Sequence, residues 1–560
     1  MKVSELPYSR VTIEHVRQVM EKAIGGIKEA TSVGQVLAIR QDYIKLIKEY
    51  TTASSLSYTR YSLNTVDPFY VGEKAYYDEI GPQVQDLDTR YGQAMLASPL
   101  RDELSKQLSP LLFKLYELQS KAMAPQIVDD MVEENRVVTE YSQLMAGMEF
   151  EFRGQKLPRA MLMKYGMDAD RATRKECYEV LGRGLQQHAA QLDDIFDRLV
   201  HIRDRMAKKM GYANFIELGY YRMQRLCYDQ KMVEGFRRNV LDDIVPVVTR
   251  LRTANAKRLG IEKMMLYDND VILPQGDPKP CGKEDIFLGA KQMYEAMGPQ
   301  TGAFIDMMLA NDAFDVDARK NKWGGGYEIE FPLYKQPFIL ANFNGTSGDV
   351  GVVTHEAGHA FNSWLCFDNE FSNELHPGME TCETHSMSME FFTWPYMDKF
   401  FGSQAPAYRY IHALDAFSFI PYGTIVDAFQ HVVYQNPDMT PAQRDQAWLD
   451  LEAKFRPYLS AQGIPYIEQG TRWQYQMHIY ESPFYYIDYV LAQTAAFQFL
   501  LESRKDYDDA FRRYVQLSSK GGAEVFTDLL KDAGLKSPFE PGALRGFASQ
   551  IEEVINQVRV

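Results

Sequence analysis

His355-Glu356-Ala357-Gly358-His359 constrains this chain more than any other stretch. Two histidines four apart share a face only if the backbone between them is helical. In that conformation they offer two imidazole nitrogens to one divalent metal, with the Glu356 carboxylate beside them. Zinc takes a third protein ligand and leaves one position to solvent. Glu383 is the best local third ligand. It lies in the segment Glu380–Glu390, where read as a helix Glu383 and Glu390 are seven apart and share a face, with Glu380 nearby. Carboxylates repeated along a segment that ends Met-Ser-Met-Glu-Phe-Phe need compensation if buried, and a metal with its histidines provides it. Glu390 is placed to accept from the free ring nitrogen of a ligand histidine. His376, in a His-Pro-Gly turn, and His385, which points elsewhere on the same helix, are the rivals to Glu383. Cys366 and Cys382 flank the motif and read as small buried hydrophobes.

With both neighbours bound to metal, Glu356 is left to take a proton from an attacking water and deliver it to a leaving amine. A tetrahedral intermediate also needs a hydrogen-bond donor besides the metal. The stretch from His478 through Tyr485, Tyr486 and Tyr489 offers phenols, and Tyr486 and Tyr489 would be neighbours on a helix. Aromatic core packing is the competing reading in a chain with 35 tyrosines.

The remainder of the chain narrows the setting. The net charge of -15, without a basic cluster, argues against nucleic acid. No apolar run is long enough to span a membrane, and the start, MKVSELPYSRVTIEHV, carries no export pattern. Five scattered cysteines argue against a disulfide framework and for a reducing cytoplasm.

Residues 9 to about 270 read as almost continuous helix, with Thr12 as the first cap and further helices near 36–51, 73–96, 101–121 and 124–145. After a turn-rich connector at Leu273–Gly282, Tyr327–Glu330 alternates and Pro337–Phe343 is apolar, which predicts a small antiparallel sheet at about 325–345. A polar turn follows, and the motif helix begins near Asp349. An exposed strand edge beside a metal can hold an extended peptide by its backbone. Helices are then expected at 406–418, 421–433, 441–456, Ile464–Tyr480 and Tyr485–Arg504.

Gly324-Gly325-Gly326-Tyr327, Asp349-Val350 with His355-Glu356-x-Gly358-His359, and Glu383-x-x-Ser386-Met387-x-x-Glu390 together resemble the M3 family of zinc oligopeptidases, the oligoendopeptidase F and thimet oligopeptidase group. The resemblance is strongest over about 320–400 and 470–495. It implies a mainly α, two-lobed, zincin-like metallopeptidase whose lobes enclose a deep channel, with an N-terminal helical lobe at 1–180 and a catalytic region at 181–560. The zinc site would span 355–390, and the C-terminal helical part could pack partly on the first lobe. It implies one zinc per chain on His355, His359 and Glu383, Glu356 as the catalytic carboxylate, and Glu390 orienting a zinc histidine. The family's intermediate-stabilising tyrosine falls on Tyr486 or Tyr489 and its substrate-binding histidine on His478. Gly325, Tyr327 and Tyr485 are candidates for substrate contact. Here Glu481-Ser482-Pro483 stands where many relatives carry a glycine-tyrosine pair. The expected reaction is hydrolysis of internal bonds of short peptides. A zinc carboxypeptidase or dipeptidyl carboxypeptidase is the alternative, with Arg472 as the group that would grip a free carboxylate. A helical protein that only binds peptides is the non-enzymatic one.

Overall fold

Thr12 starts the first long helix as expected. Its hydroxyl accepts from the His15 amide, and Ile13–Glu29 follows with Val16, Met20, Ala23 and Ile27 on the buried side. In the computed structural model, which describes residues 1–372 and 374–558, this helix packs with Val33–Leu63 and Pro68–Ala97, and Arg101–Gln107 and Pro110–Ala122 pack in turn on Pro68–Ala97. The single helix expected over 101–121 is broken, because Pro110 has no N–H and holds Ser109 extended. These helices close an apolar core of their own, built from Met20, Tyr91, Leu104 and Leu112 among others. Leu375, from the segment just after the metal motif, is buried in that core too. A second and larger core contains the helices that carry His359 and Glu383, and the C-terminal half.

Residues 149–158 depart from the expected continuous helix. Glu149–Phe152 (β1) and Gln155–Pro158 (β2) form an antiparallel hairpin, with Arg153 and Gly154 both at positive φ (50° and 78°). Two left-handed residues make the tight turn that suits twisted strands. The alternation Glu-Phe-Glu-Phe, exposed and buried in turn, was its signal.

The sheet beside the motif has three strands: Phe314–Asp317 (β3), Tyr327–Phe331 (β4) and Gln336–Phe343 (β5). β5 is central. It pairs antiparallel with β4, Tyr327 opposite Leu340 and Phe331 opposite Gln336, as expected. It also pairs in parallel with β3, so the sheet is mixed rather than purely antiparallel. β4 keeps one free edge.

Further on, Ala405–Gln435 runs as one helix through Pro421 where two were expected. Ile464–Tyr480 is instead a chain of short turns at Ile467–Gln469, Thr471–Tyr475 and Met477–Glu481. Tyr466 and Gly470, at φ 64° and 98°, break any continuous helix there. Tyr486–Ser503 follows as a regular helix. Among the described residues no helix is long and apolar enough to cross a membrane.

Candidate metal centre

The polar turn after β5 is tied to the motif helix by one side chain. Asp349 accepts from the amides of Asn344 and Gly345, at 2.9 and 2.8 Å. The helix then runs Gly348–Gly351, widens into a π turn at Val352–Glu356, and returns to α over Ala357–Cys366. The π turn holds His355 and Glu356, the kind of place where such distortions recur. The facing helix is Met379–Phe392. Gly358 lets the two touch, since a Cβ there would lie 2.6 Å from Ser386 Cα and 2.9 Å from the His385 carbonyl oxygen.

This close approach brings Glu383 to both rings. Its Oε2 lies 3.4 Å from His355 Nε2 and 3.5 Å from His359 Nε2. One ligand atom from each of the three residues falls within 4.8 Å of the others. Glu390 takes the other side of His355, with Oε1 2.6 Å from Nδ1. Its second oxygen lies 2.6 Å from His412 Nε2, and Trp394 Nε1 donates to His412 Nδ1 at 2.9 Å.

Proton bookkeeping follows from that chain. The indole N–H can only donate, so His412 Nδ1 accepts and its Nε2–H donates to Glu390. Glu390 likewise takes the Nδ1 proton of His355. Burial pushes the Glu390 pKa up, but the bonds from His355 and His412 outweigh it and hold it at about 2. Glu383 is also held below the usual carboxylate range: burial raises it, and His359 and His355 more than compensate. Burial alone would lower the His355 pKa, but the carboxylates of Glu383 and Glu390 on its two ring nitrogens raise it well above the ordinary value. The metal-free ring thus holds a proton on Nε2 toward Glu383, and a divalent cation among these groups would take that proton's place. Two imidazoles and a carboxylate are a donor set suited to zinc.

The tyrosines divide. Tyr485 donates to Glu383 Oε1 at 2.6 Å. The Tyr489 ring lies 4.8 Å from that of Tyr485, and after burial the charges of Glu383 and then Glu356 help hold its phenol protonated. Tyr486 faces away, its ring against Phe419 and Tyr422 and its phenol toward Tyr422 and Gln476. His478 packs 4.9 to 5.8 Å from the three tyrosine rings and meets Gln476 through Nδ1. Burial lowers its pKa to about 4, so the ring is neutral.

Other expected residues lie elsewhere. Gly326 approaches Glu356: a Cβ there would be 3.8 Å from its Oε1. Gly325 is covered by Trp323 and gives its carbonyl to Asn342. Tyr327 packs on Tyr58 and Trp323. His385 is buried outside the three-residue cluster, and Glu380 accepts from Tyr228 at 3.3 Å. His376 lines a cavity of about 330 Å³ beside His359. Arg472 is engaged by Glu452 at 3.0 Å and covers the Tyr422 ring. The sequence reading missed His412, Trp394 and the bond from Tyr485. The only signal for His412 was a histidine on a long, largely apolar helix, and His431 on the same helix gives the same signal.

Comparison with known proteins agrees with this arrangement. The model of the peptidase M3 N-terminal domain matches residues 3–123, and that of peptidase family M3 matches residues 303–549. A solved structure of PZ peptidase A with an inhibitor is 40% identical, covers 100% of this chain and 99% of its own, and superposes with a TM-score of 0.96. A putative oligoendopeptidase F from Bacillus anthracis str. Ames is 38% identical over 99% of this chain and 98% of its own, at a TM-score of 0.90. The oligopeptidase PepF of Bacillus subtilis (strain 168) is 21% identical over 56% of this chain, a match that spans about half, 47%, of that relative's length. With two family models in order along it and near-complete superposition on such relatives, the chain belongs to peptidase family M3 and is a metallopeptidase of the oligoendopeptidase F type.

Proposed function

We propose that this chain is a zinc-dependent oligoendopeptidase that hydrolyses internal bonds of short peptides, with His355, His359 and Glu383 as the ligands of one ion. The observation that carries the reading is the meeting of both Nε2 atoms with one Glu383 oxygen, at 3.4 and 3.5 Å. When bound, zinc would supply Lewis acidity and make water acidic enough to attack near neutral pH. The chain's own groups do the rest. Glu356, next to one ligand and outside the ligand set, accepts the proton of the attacking water and passes it to the departing amine. The free edge of β4, which follows directly on Gly326 beside Glu356, offers backbone groups to an extended peptide. Tyr489 is the phenol that donates to the developing oxyanion, since it senses both Glu356 and Glu383, while Tyr485 steadies Glu383. Glu390 and His412 fix the tautomer and angle of His355. Arg472 is already paired, which removes the expected grip for a free carboxylate and favours cleavage inside the peptide. The names of the similar proteins support short substrates, and the scattered free cysteines support a reducing cytoplasm.

An internally quenched peptide blocked at both ends tests this. Purified protein should cleave it, lose activity to a chelator and regain it with zinc. Cleavage that survives complete removal of metal, or cleavage only of peptides with a free end, would overturn the reading.

A further inference from the structure

Glu328 and Glu330 stand two apart on β4, so both leave the strand on the same side. Tyr327, on the other side, rests against Tyr58 of the Val33–Leu63 helix. Glu328 and Glu330 line the cavity of about 330 Å³ beside His359, together with Ser363, Cys366, His376 and Cys382. That volume is in the range of side-chain and ligand pockets.

The two carboxylates are poorly compensated. Glu328 takes one hydrogen bond, from Ser363. Its Oε1 is shut off from solvent and has no hydrogen-bond partner among the described residues. Both side chains are partly exposed and line that cavity. Among the described residues neither carboxylate forms an ion pair, and Lys48, the only lysine or arginine on the lining, pairs with neither. Burial pushes Glu330 up to about 7, and burial together with the charge of Glu330 pushes Glu328 well above the usual range. Two such groups are costly unless a cation joins them. A second metal is not the answer, because His355, His359 and Glu383 make the one cluster of metal-ligating geometry among the described residues. In the free protein, burial favours the protonated form of both carboxyls, and a cationic side chain entering the cavity would displace those protons to solvent and pair with the carboxylates left behind.

We propose that this cavity is the subsite for a basic side chain, lysine or arginine, of the bound peptide. A peptide laid along the β4 edge would drop that side chain between strand and motif helix. Its ammonium or guanidinium would there pair with Glu328 and Glu330. The assignment rests on the peptidase reading above and adds to it a preference for substrates with a basic residue close to the cleaved bond.

The test uses zinc-loaded protein and a set of quenched peptides blocked at both ends, with lysine moved through the three positions on each side of the bond. Norleucine replaces lysine in each matched control, and the blocked termini exclude recognition of a free α-amino group. At one position the lysine peptide should exceed its control in kcat/KM by about tenfold or more, mostly through KM, as expected for a hydrogen-bonded charge. In the Glu328→Gln, Glu330→Gln double variant the lysine-to-norleucine ratio, read within that one protein, should collapse toward one. Equal cleavage of lysine and norleucine peptides at every position by the unaltered protein would overturn the subsite and leave the peptidase standing. Survival of the preference in the double variant would do the same. Cleavage of no peptide in the set would overturn the peptidase reading and the subsite with it.

Discussion

His412 Nε2 lies 2.6 Å from Glu390 Oε2, and the other oxygen of that carboxylate lies 2.6 Å from His355 Nδ1. One partly buried carboxylate thus couples the Ala405–Gln435 helix to the motif helix. The angle of the His355 ring is set from a helix that contributes nothing to the ligand triangle. His412→Ala should leave the fold intact and weaken zinc affinity by about tenfold or more, the usual cost of an outer partner of a ligand histidine. Chelator competition reads this without reference to turnover. His412→Gln, which can still donate to Glu390, should recover part of the loss. Equal affinity in all three proteins would show that Glu390 orients His355 unaided.

Tyr489 and Tyr486 are neighbours on one helix with different surroundings. Tyr489→Phe should lower kcat by about 10² to 10³, the range for loss of one oxyanion donor, with little change in KM. Tyr486→Phe, whose phenol faces Tyr422 and Gln476, should stay within a few-fold of the parent. Steady-state kinetics on one blocked peptide separates them, and the reverse ranking would exchange their roles.

Gly358→Ala places a methyl between the motif helix and the helix that carries Glu383, against Ser386 Cα and the His385 carbonyl. Both contacts are backbone, so relief requires the helices to part. The cost should be about 1–3 kcal/mol, as for overpacking of a tight core. Zinc affinity should fall with it, since Glu383 moves away from the rings. Thermal unfolding and metal titration check the pair of effects together, and an unchanged affinity at reduced stability would mean that the helices part without disturbing the ligands.

His478 gives a pH signature. Burial lowers its pKa in the folded chain to about 4, from an ordinary 6.5. The unfolded chain then binds the extra proton between those values, so stability falls as pH drops from 6.5 toward 4 and is unaffected above 6.5. At its steepest the contribution is about 1.4 kcal/mol per pH unit. Urea unfolding across that window should give a shallower slope for His478→Gln than for the parent. Parallel slopes would mean that the ring is solvated when folded.

The meeting of His355, His359 and Glu383 was legible because its information is local. His355 and His359 are one turn apart, and Glu383 and Glu390 are two turns apart on the next helix. The antiparallel pairing of β4 and β5 was legible for the same reason. His412 was not, because its role depends on which face of a long buried helix meets Glu390. The choice between Tyr486 and Tyr489 depended on Phe419 and Tyr422, which lie far away in sequence. β3 joins β5 across a parallel pairing that has no short-range turn to announce it. The segment expected as helix at 464–480 breaks at Tyr466, a residue type with no preference for positive φ. Glu328 and Glu330 read as an alternating strand, but their confinement beside His359 exists only once the sheet lies on the motif helix.

The most direct test is anomalous diffraction at the zinc edge from crystals of the fully active protein. The expected result is one ion within about 2.0–2.2 Å of His355 Nε2, His359 Nε2 and a Glu383 oxygen, the ordinary zinc bond lengths. Active protein with no ion in that triangle, or with its ion held by other residues, would contradict the account.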